Sequence, residues 1–150
     1  MTAPVLAPGH IGLNVTDLDR SVAFYRQALG FEQLGAGGEG ARRFAFLGRD
    51  GKLQVTLWQQ SDGEFSAKTP GLHHLSFQVD SIDQVREVES VLKELNVSFA
   101  HDGVVAHREG GSSGGIFFID PDGIRLEVYA PSGAEHAPAP SGSAPTCGFF

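Results

Sequence analysis

The sequence predicts an α+β fold of two tandem βαβββ modules curled into one open, cupped, mixed β-barrel. Three observations lead there. The chain repeats itself: HIGLNVTDLD at 10–19 sets His10 against His74, Leu13 against Phe77, Val15 against Val79 and Asp19 against Asp83 in HLSFQVDSID at 74–83. A second match closes each half, LQVTLW (53–58) against IRLEVY (124–129), each soon after an Asp-Gly pair, with Thr56 opposite Glu127. Between these matches both halves run through the same order of patterns: alternating, then helical, then several short strand-like runs.

Each module opens on an alternating run. Ile11, Leu13 and Val15 oppose His10, Gly12 and Asn14, and Leu75, Phe77 and Val79 oppose His74, Ser76 and Gln78. A helix follows in each. Leu18, Val22, Tyr25 and Leu29 fall at helical spacing, with Asp17 or Asp19 to cap and Gly30 to terminate. In the second module Ser81 caps a stripe of Val85, Val88, Leu92 and Leu95. Asp120-Pro121-Asp122-Gly123 is a tight-turn signal ahead of the last strand. The modules span about 8–60 and 72–130 of a single domain at 1–131, joined by the polar stretch Ser61–Pro70. The tail, 132–150, is rich in Ala, Pro, Gly and Ser, a composition of disorder, and ends on the apolar Cys147-Gly148-Phe149-Phe150.

The bulk numbers exclude several functions. A chain of 150 residues, 41% hydrophobic, can bury one core. A net charge of −7 and the lack of a Lys/Arg cluster argue against a nucleic-acid partner or an anionic membrane surface. Its apolar runs fall far short of the roughly 20 residues a membrane helix needs. MTAPVLAPGH does not read as a secretory signal, and the one cysteine, Cys147, has no intrachain partner. A cytoplasmic protein is expected. Gly110–Gly115 lacks the Lys-Ser/Thr ending of a phosphate loop and reads as a flexible segment able to close over substrate.

The four end strands carry the chemistry. Their polar faces present His10, Gly12 and Asn14; Gln54, Thr56 and Trp58; His74, Ser76 and Gln78; and Arg125, Glu127 and Tyr129. In a cupped barrel these faces line one shared cavity. His10, His74 and Glu127 form a set of two imidazoles and a carboxylate that suits a divalent metal and leaves coordination positions open. Asn14 and Gln78 are candidates to orient the histidine rings. Arg125 and Tyr129 can hold an anionic substrate, and Trp58 and Phe46 either stack on an aromatic ligand or fill the core. His107 is a general base at the cavity mouth or a solvated loop histidine. His73, adjacent to His74, faces the other side of the strand.

HIGLNVTDLDRSVAFYRQALGF and GGIFFIDPDGIRLEVYAP resemble the vicinal-oxygen-chelate superfamily, which includes glyoxalase I, extradiol dioxygenases, fosfomycin-resistance enzymes and bleomycin-binding proteins. The resemblance covers about residues 8–131 and implies metal-ligand positions at His10, Thr56, His74 and Glu127. Thr56 stands where glyoxalase I carries an acidic residue, Gly12 lacks a hydroxyl that the fosfomycin reading would want, and Phe117 stands roughly where extradiol enzymes carry a tyrosine. What the resemblance implies is a metal-dependent enzyme acting on a small oxygenated substrate. Dioxygenase-like chemistry with iron(II) is favoured because Thr56 removes the fourth ligand; manganese, zinc, nickel or cobalt would serve a glyoxalase-type lyase or isomerase. The remaining alternative is a non-catalytic drug-binding protein. A homodimer is expected, since the sheets leave edges to cover.

Overall fold

In a computed structural model, which describes residues 2–150, the chain divides into two compact units between Gly63 and Glu64, inside the polar joining segment. The first unit runs β1 (Ile11–Asn14), α1 (Leu18–Leu29), β2 (Glu32–Gly37), β3 (Phe44–Arg49) and β4 (Lys52–Trp58). The second runs β5 (Leu75–Gln78), α2 (Ile82–Glu94), β6 (Val105–Ala106), β7 (Gly114–Ile119) and β8 (Arg125–Ala130). Both are βαβββ modules.

Each module forms its own four-stranded mixed sheet, ordered β1-β4-β3-β2 in the first and β5-β8-β7-β6 in the second. The first strand of each pairs in parallel with the last, and the other ladders are antiparallel. The registers are equivalent. Gly12 lies opposite Thr56 and Asn14 opposite Trp58, as Ser76 lies opposite Glu127 and Gln78 opposite Tyr129. The sequence repeat is thus a structural repeat, residue for residue, along its site-bearing strands.

Alternation sets the core. Val55 and Leu57 of β4, Ala45 and Leu47 of β3, and Leu13 of β1 are buried on the face that packs under α1, with Tyr25 fully enclosed. Leu126 and Val128 of β8, Ile116 and Phe118 of β7, and Val85 and Leu92 of α2 do the same in the second unit. Full burial of each Val, Leu, Ile or Phe among them contributes about 1.5–3 kcal/mol. Asp17 caps α1, accepting from the Arg20 amide at 3.0 Å, and Gly30 ends it with φ of 68°. Ser81 caps α2 through the Gln84 amide. Asp50 and Gly51, at φ 52° and 73°, make the two-residue turn between β3 and β4. Asp120 is buried and its Oδ1 accepts from the amides of Asp122 and Ile124, which shapes the turn into β8.

Several expectations change. Both histidines stand one residue before their strands, which begin at Ile11 and Leu75, so strand alternation does not set His73 against His74. Leu95 follows the last turn of α2 and is exposed; the buried face centres on Val85 and Leu92. Gly114 and Gly115 belong to β7, not to a flexible loop. A Cβ on Gly114 would clash with the Val105 carbonyl oxygen, and one on Gly115 with the Val128 oxygen, so these neighbours demand glycine. The tail is ordered against the second unit despite its composition. The Ala106 amide donates to the Pro138 carbonyl at 2.7 Å, the Glu109 amide to Gly142 at 2.7 Å, and Thr146 is fully buried. These bonds cover β6, the outer strand of its sheet, whose free edge would otherwise be exposed.

Candidate metal centre

In the second unit the register of β5 and β8 places Ser76 beside Glu127, and the Ser76 hydroxyl donates to Glu127 Oε1 at 2.7 Å. Glu127 is only 3% exposed. Its second oxygen, Oε2, is buried with no hydrogen-bond partner among the described residues. His107, half-buried just after β6, lies with Nε2 at 3.3 Å from Oε1, though out of line for a hydrogen bond. Its Nδ1 is held by the Ser113 hydroxyl at 2.8 Å. Part-buried beside Glu127, it is not a solvated loop histidine.

His74 Nδ1 lies 2.8 Å from His73 Nδ1, so His73, not Gln78, is its ring partner. Burial pushes the His74 pKa down; the Glu127 carboxylate opposes that, while the charges of His73, Arg125 and His107 add to it. A neutral imidazole is the form a metal binds. Donor atoms of His74, Glu127 and Cys147 lie within 4.8 Å of one another. Burial, and next the Glu127 charge, raise the Cys147 thiol pKa.

The remaining candidates divide by module. In the second unit, the Tyr129 hydroxyl donates to Gln78 Oε1 at 2.9 Å, and its ring lies 5.2 Å from that of His107. The Arg125 guanidinium sits 5.3 Å from the Phe150 ring centre and 6.0 Å from that of Phe65, so its cation is engaged by aromatic faces. In the first unit, His10 is exposed just ahead of β1, and Asn14 Oδ1 accepts from the Gln60 amide, not from a histidine. Thr56 is buried and accepts from Trp58 Nε1 at 3.0 Å. Trp58 is half-buried and neighbours Phe44 and Phe46, with ring centres at 5.4 and 6.5 Å.

Three neighbours of these candidates were not singled out as candidates from the sequence. Ser76 had a signal, because it lies on the His74 face opposite Glu127 in the repeat. Ser113 and Cys147 had none, since each arrives through tertiary folding of a Gly/Ser- or Pro-rich stretch.

The donor set fits a divalent metal. One carboxylate oxygen is orphaned in the interior, the His74 imidazole, its pKa lowered by burial, is adjacent, and further nitrogen and sulfur donors stand nearby. Comparison with known proteins agrees with the fold. The chain is 26% identical to catechol-2,3-dioxygenase of Bacillus subtilis (strain 168) over 81% of its own length, and spans 40% of that enzyme. It superposes on a glyoxylase/bleomycin resistance protein/dioxygenase domain from Frankia sp. EAN1pec with a TM-score of 0.74 at 28% identity, covering 85% of this chain and 99% of that one. It also superposes on the fosfomycin resistance protein FosX of Listeria monocytogenes, solved with Mn(II) and sulfate, with a TM-score of 0.62 at 24% identity, covering 88% and 98%. The family model for the Glyoxalase/Bleomycin resistance protein/Dioxygenase superfamily matches residues 7–128, and the chain belongs to that superfamily.

Proposed function

We propose that this chain is a metal-dependent enzyme of its superfamily that acts on a small oxygenated substrate at a His10/His74/Glu127 centre, with dioxygenase-like chemistry favoured. The observation that carries the reading is Glu127. A carboxylate taken out of water costs several kcal/mol unless charge and hydrogen bonds compensate. Here one oxygen has a hydroxyl donor and the other, Oε2, has none. A cation bound there would compensate it. His10 joins as the repeat mate of His74, and the relation to a catechol dioxygenase supports the direction of the chemistry. A bound divalent metal supplies Lewis-acid polarisation of paired substrate oxygens or, as iron(II), a centre for oxygen chemistry.

The chain's own groups supply the rest. Ser76 fixes the Glu127 carboxylate. His107, oriented by Ser113 at Nδ1, presents Nε2 on the Glu127 side and is placed to take or return a substrate proton. Arg125 and the Tyr129–Gln78 pair bound the same face of β8 and offer polar contacts to substrate. Thr56 and Trp58, with Asn14, are the corresponding contributors from the first module. A lyase or isomerase of glyoxalase type is less supported, because Thr56 brings neither a ligand carboxylate nor a base. A drug-binding role has one observation in its favour, the half-buried Phe44/Phe46/Trp58 cluster, which is suited to stacking. With one cysteine we place the protein in the cytoplasm, a reading that cell fractionation checks. No helix among the described residues is long and apolar enough to cross a membrane.

The test is Glu127→Ala and His10→Ala, purified without a metal-affinity tag and assayed for metal and, after anaerobic iron loading, for oxygen uptake with catechol-type substrates. Each variant is expected to lose most bound metal while its circular dichroism is unchanged. Wild-type metal content in either variant would overturn the ligand assignment.

A further inference from the structure

We infer that Cys147, carried in by the folded tail, is a thiolate ligand of the metal bound by His74 and Glu127. The inference rests on the metal reading above and adds a donor that lies beyond residues 7–128, the stretch the family model matches. Two independent observations meet here. The Cys147 sulfur shares one cluster with the His74 and Glu127 donors, all within 4.8 Å. Glu127, a member of that cluster, has an orphaned oxygen, Oε2, on a residue 97% removed from solvent. Bonds of about 2.0–2.1 Å to nitrogen and about 2.3 Å to sulfur would draw such donors together with small side-chain movements.

The tail is built to hold the sulfur there. Thr146, the residue before it, is fully buried; its amide donates to the His107 carbonyl and its hydroxyl to the Ala106 carbonyl, each at 2.7 Å. On the other side Phe150 packs on His74 at 5.6 Å, on Phe117 at 5.4 Å and beneath the Arg125 guanidinium. The cysteine is clamped between two anchors. On binding, the thiol proton passes to solvent and a sulfur lone pair forms the bond to the ion. A thiolate shifts preference toward zinc and cobalt and away from harder ions such as manganese.

Cobalt(II) titration of the tag-free full chain tests this. The wild type is expected to bind one cobalt with visible d–d bands and a near-ultraviolet sulfur-to-cobalt charge-transfer band whose intensity per bound ion is independent of protein concentration. Cys147→Ser should lose that band and bind cobalt more weakly while keeping d–d bands and fold. Because the chain has one cysteine, the band has one intrachain source. Cobalt binding with d–d bands alone in the wild type would overturn the thiolate ligand and leave the His/His/Glu reading standing. No cobalt binding by the wild type would overturn both. A band that grows with protein concentration would overturn the intrachain ligand in favour of sulfur from a second copy.

Discussion

At the scale of the residue, the site depends on how one carboxylate is held. Glu127 and Thr56 occupy the same register position in their modules, and both are buried. Thr56 satisfies itself by accepting from Trp58, and a Cβ at its neighbour Gly12 would stand 3.2 Å from its hydroxyl. Glu127 instead faces Ser76, which has the hydroxyl that Gly12 lacks. At this cross-strand pair the two modules differ in chemistry, Gly/Thr in one and Ser/Glu in the other. Ser76→Ala should leave the fold intact, because the side chain is small and at an exposed position, and should weaken metal binding about 10–100-fold by freeing the carboxylate to rotate. Competition titration with a chelator reads this directly, and unchanged affinity would show that the bond does not orient Glu127.

At the scale of the element, helix entry in the first module combines a cap and an ion pair. Asp17 closes the first turn of α1, and Asp19 sits in that turn, where the helix dipole favours negative charge. Arg43, just before β3, donates to Asp19 at 2.7 and 3.3 Å. The hydrogen bond, and then the charge, of Arg43 hold the Asp19 pKa below the ordinary carboxylate value. Since the folded value is the lower one, the pair stabilises the fold above the ordinary carboxylate pKa, and the contribution is lost as pH falls through the folded value. Asp19 is exposed and Arg43 partly exposed, so the effect is small and screened by salt. Denaturant midpoints of wild type and Asp19→Asn, followed with pH, should differ near neutrality and converge in acid. A difference that persists at the lowest pH would mean that the carboxylate charge is not its source.

At the scale of the whole molecule, two sheets and an ordered tail leave different surfaces. The tail covers the β6 edge of the second sheet. In the first sheet β2 is the outer strand, with Glu32, Gln33 and Leu34 exposed, and no comparable segment hydrogen-bonds along it among the described residues. That asymmetry is consistent with the homodimer we propose, since unpaired edges favour association. Sedimentation at micromolar concentration should give about twice the 15.9 kDa chain mass, and a monomer mass would remove dimerisation from the reading.

Periodicity and repetition were enough to define both βαβββ modules, because alternation and helical spacing are local and each was written twice. The expectation that His74 and Glu127 lie near one another rests on the same repeat, and their donor atoms do share one cluster, although His74 stands one residue ahead of β5. Caps at Asp17 and Ser81 and the turn at Asp120 were legible from short-range chemistry. The tail was not. Ala, Pro, Gly and Ser carry no period, and composition alone reads them as disordered; what orders them is long-range pairing of the Ala106, His107 and Glu109 backbone with Pro138, Thr146 and Gly142. The same folding decided that Gly114 and Gly115 are strand residues, through carbonyls too close for any Cβ. It also brought Ser113 to His107 and Cys147 to Glu127. Local pattern determined which residues share a strand face, whereas contacts between segments distant in sequence, which leave no pattern in a single chain, decided what closes over that face.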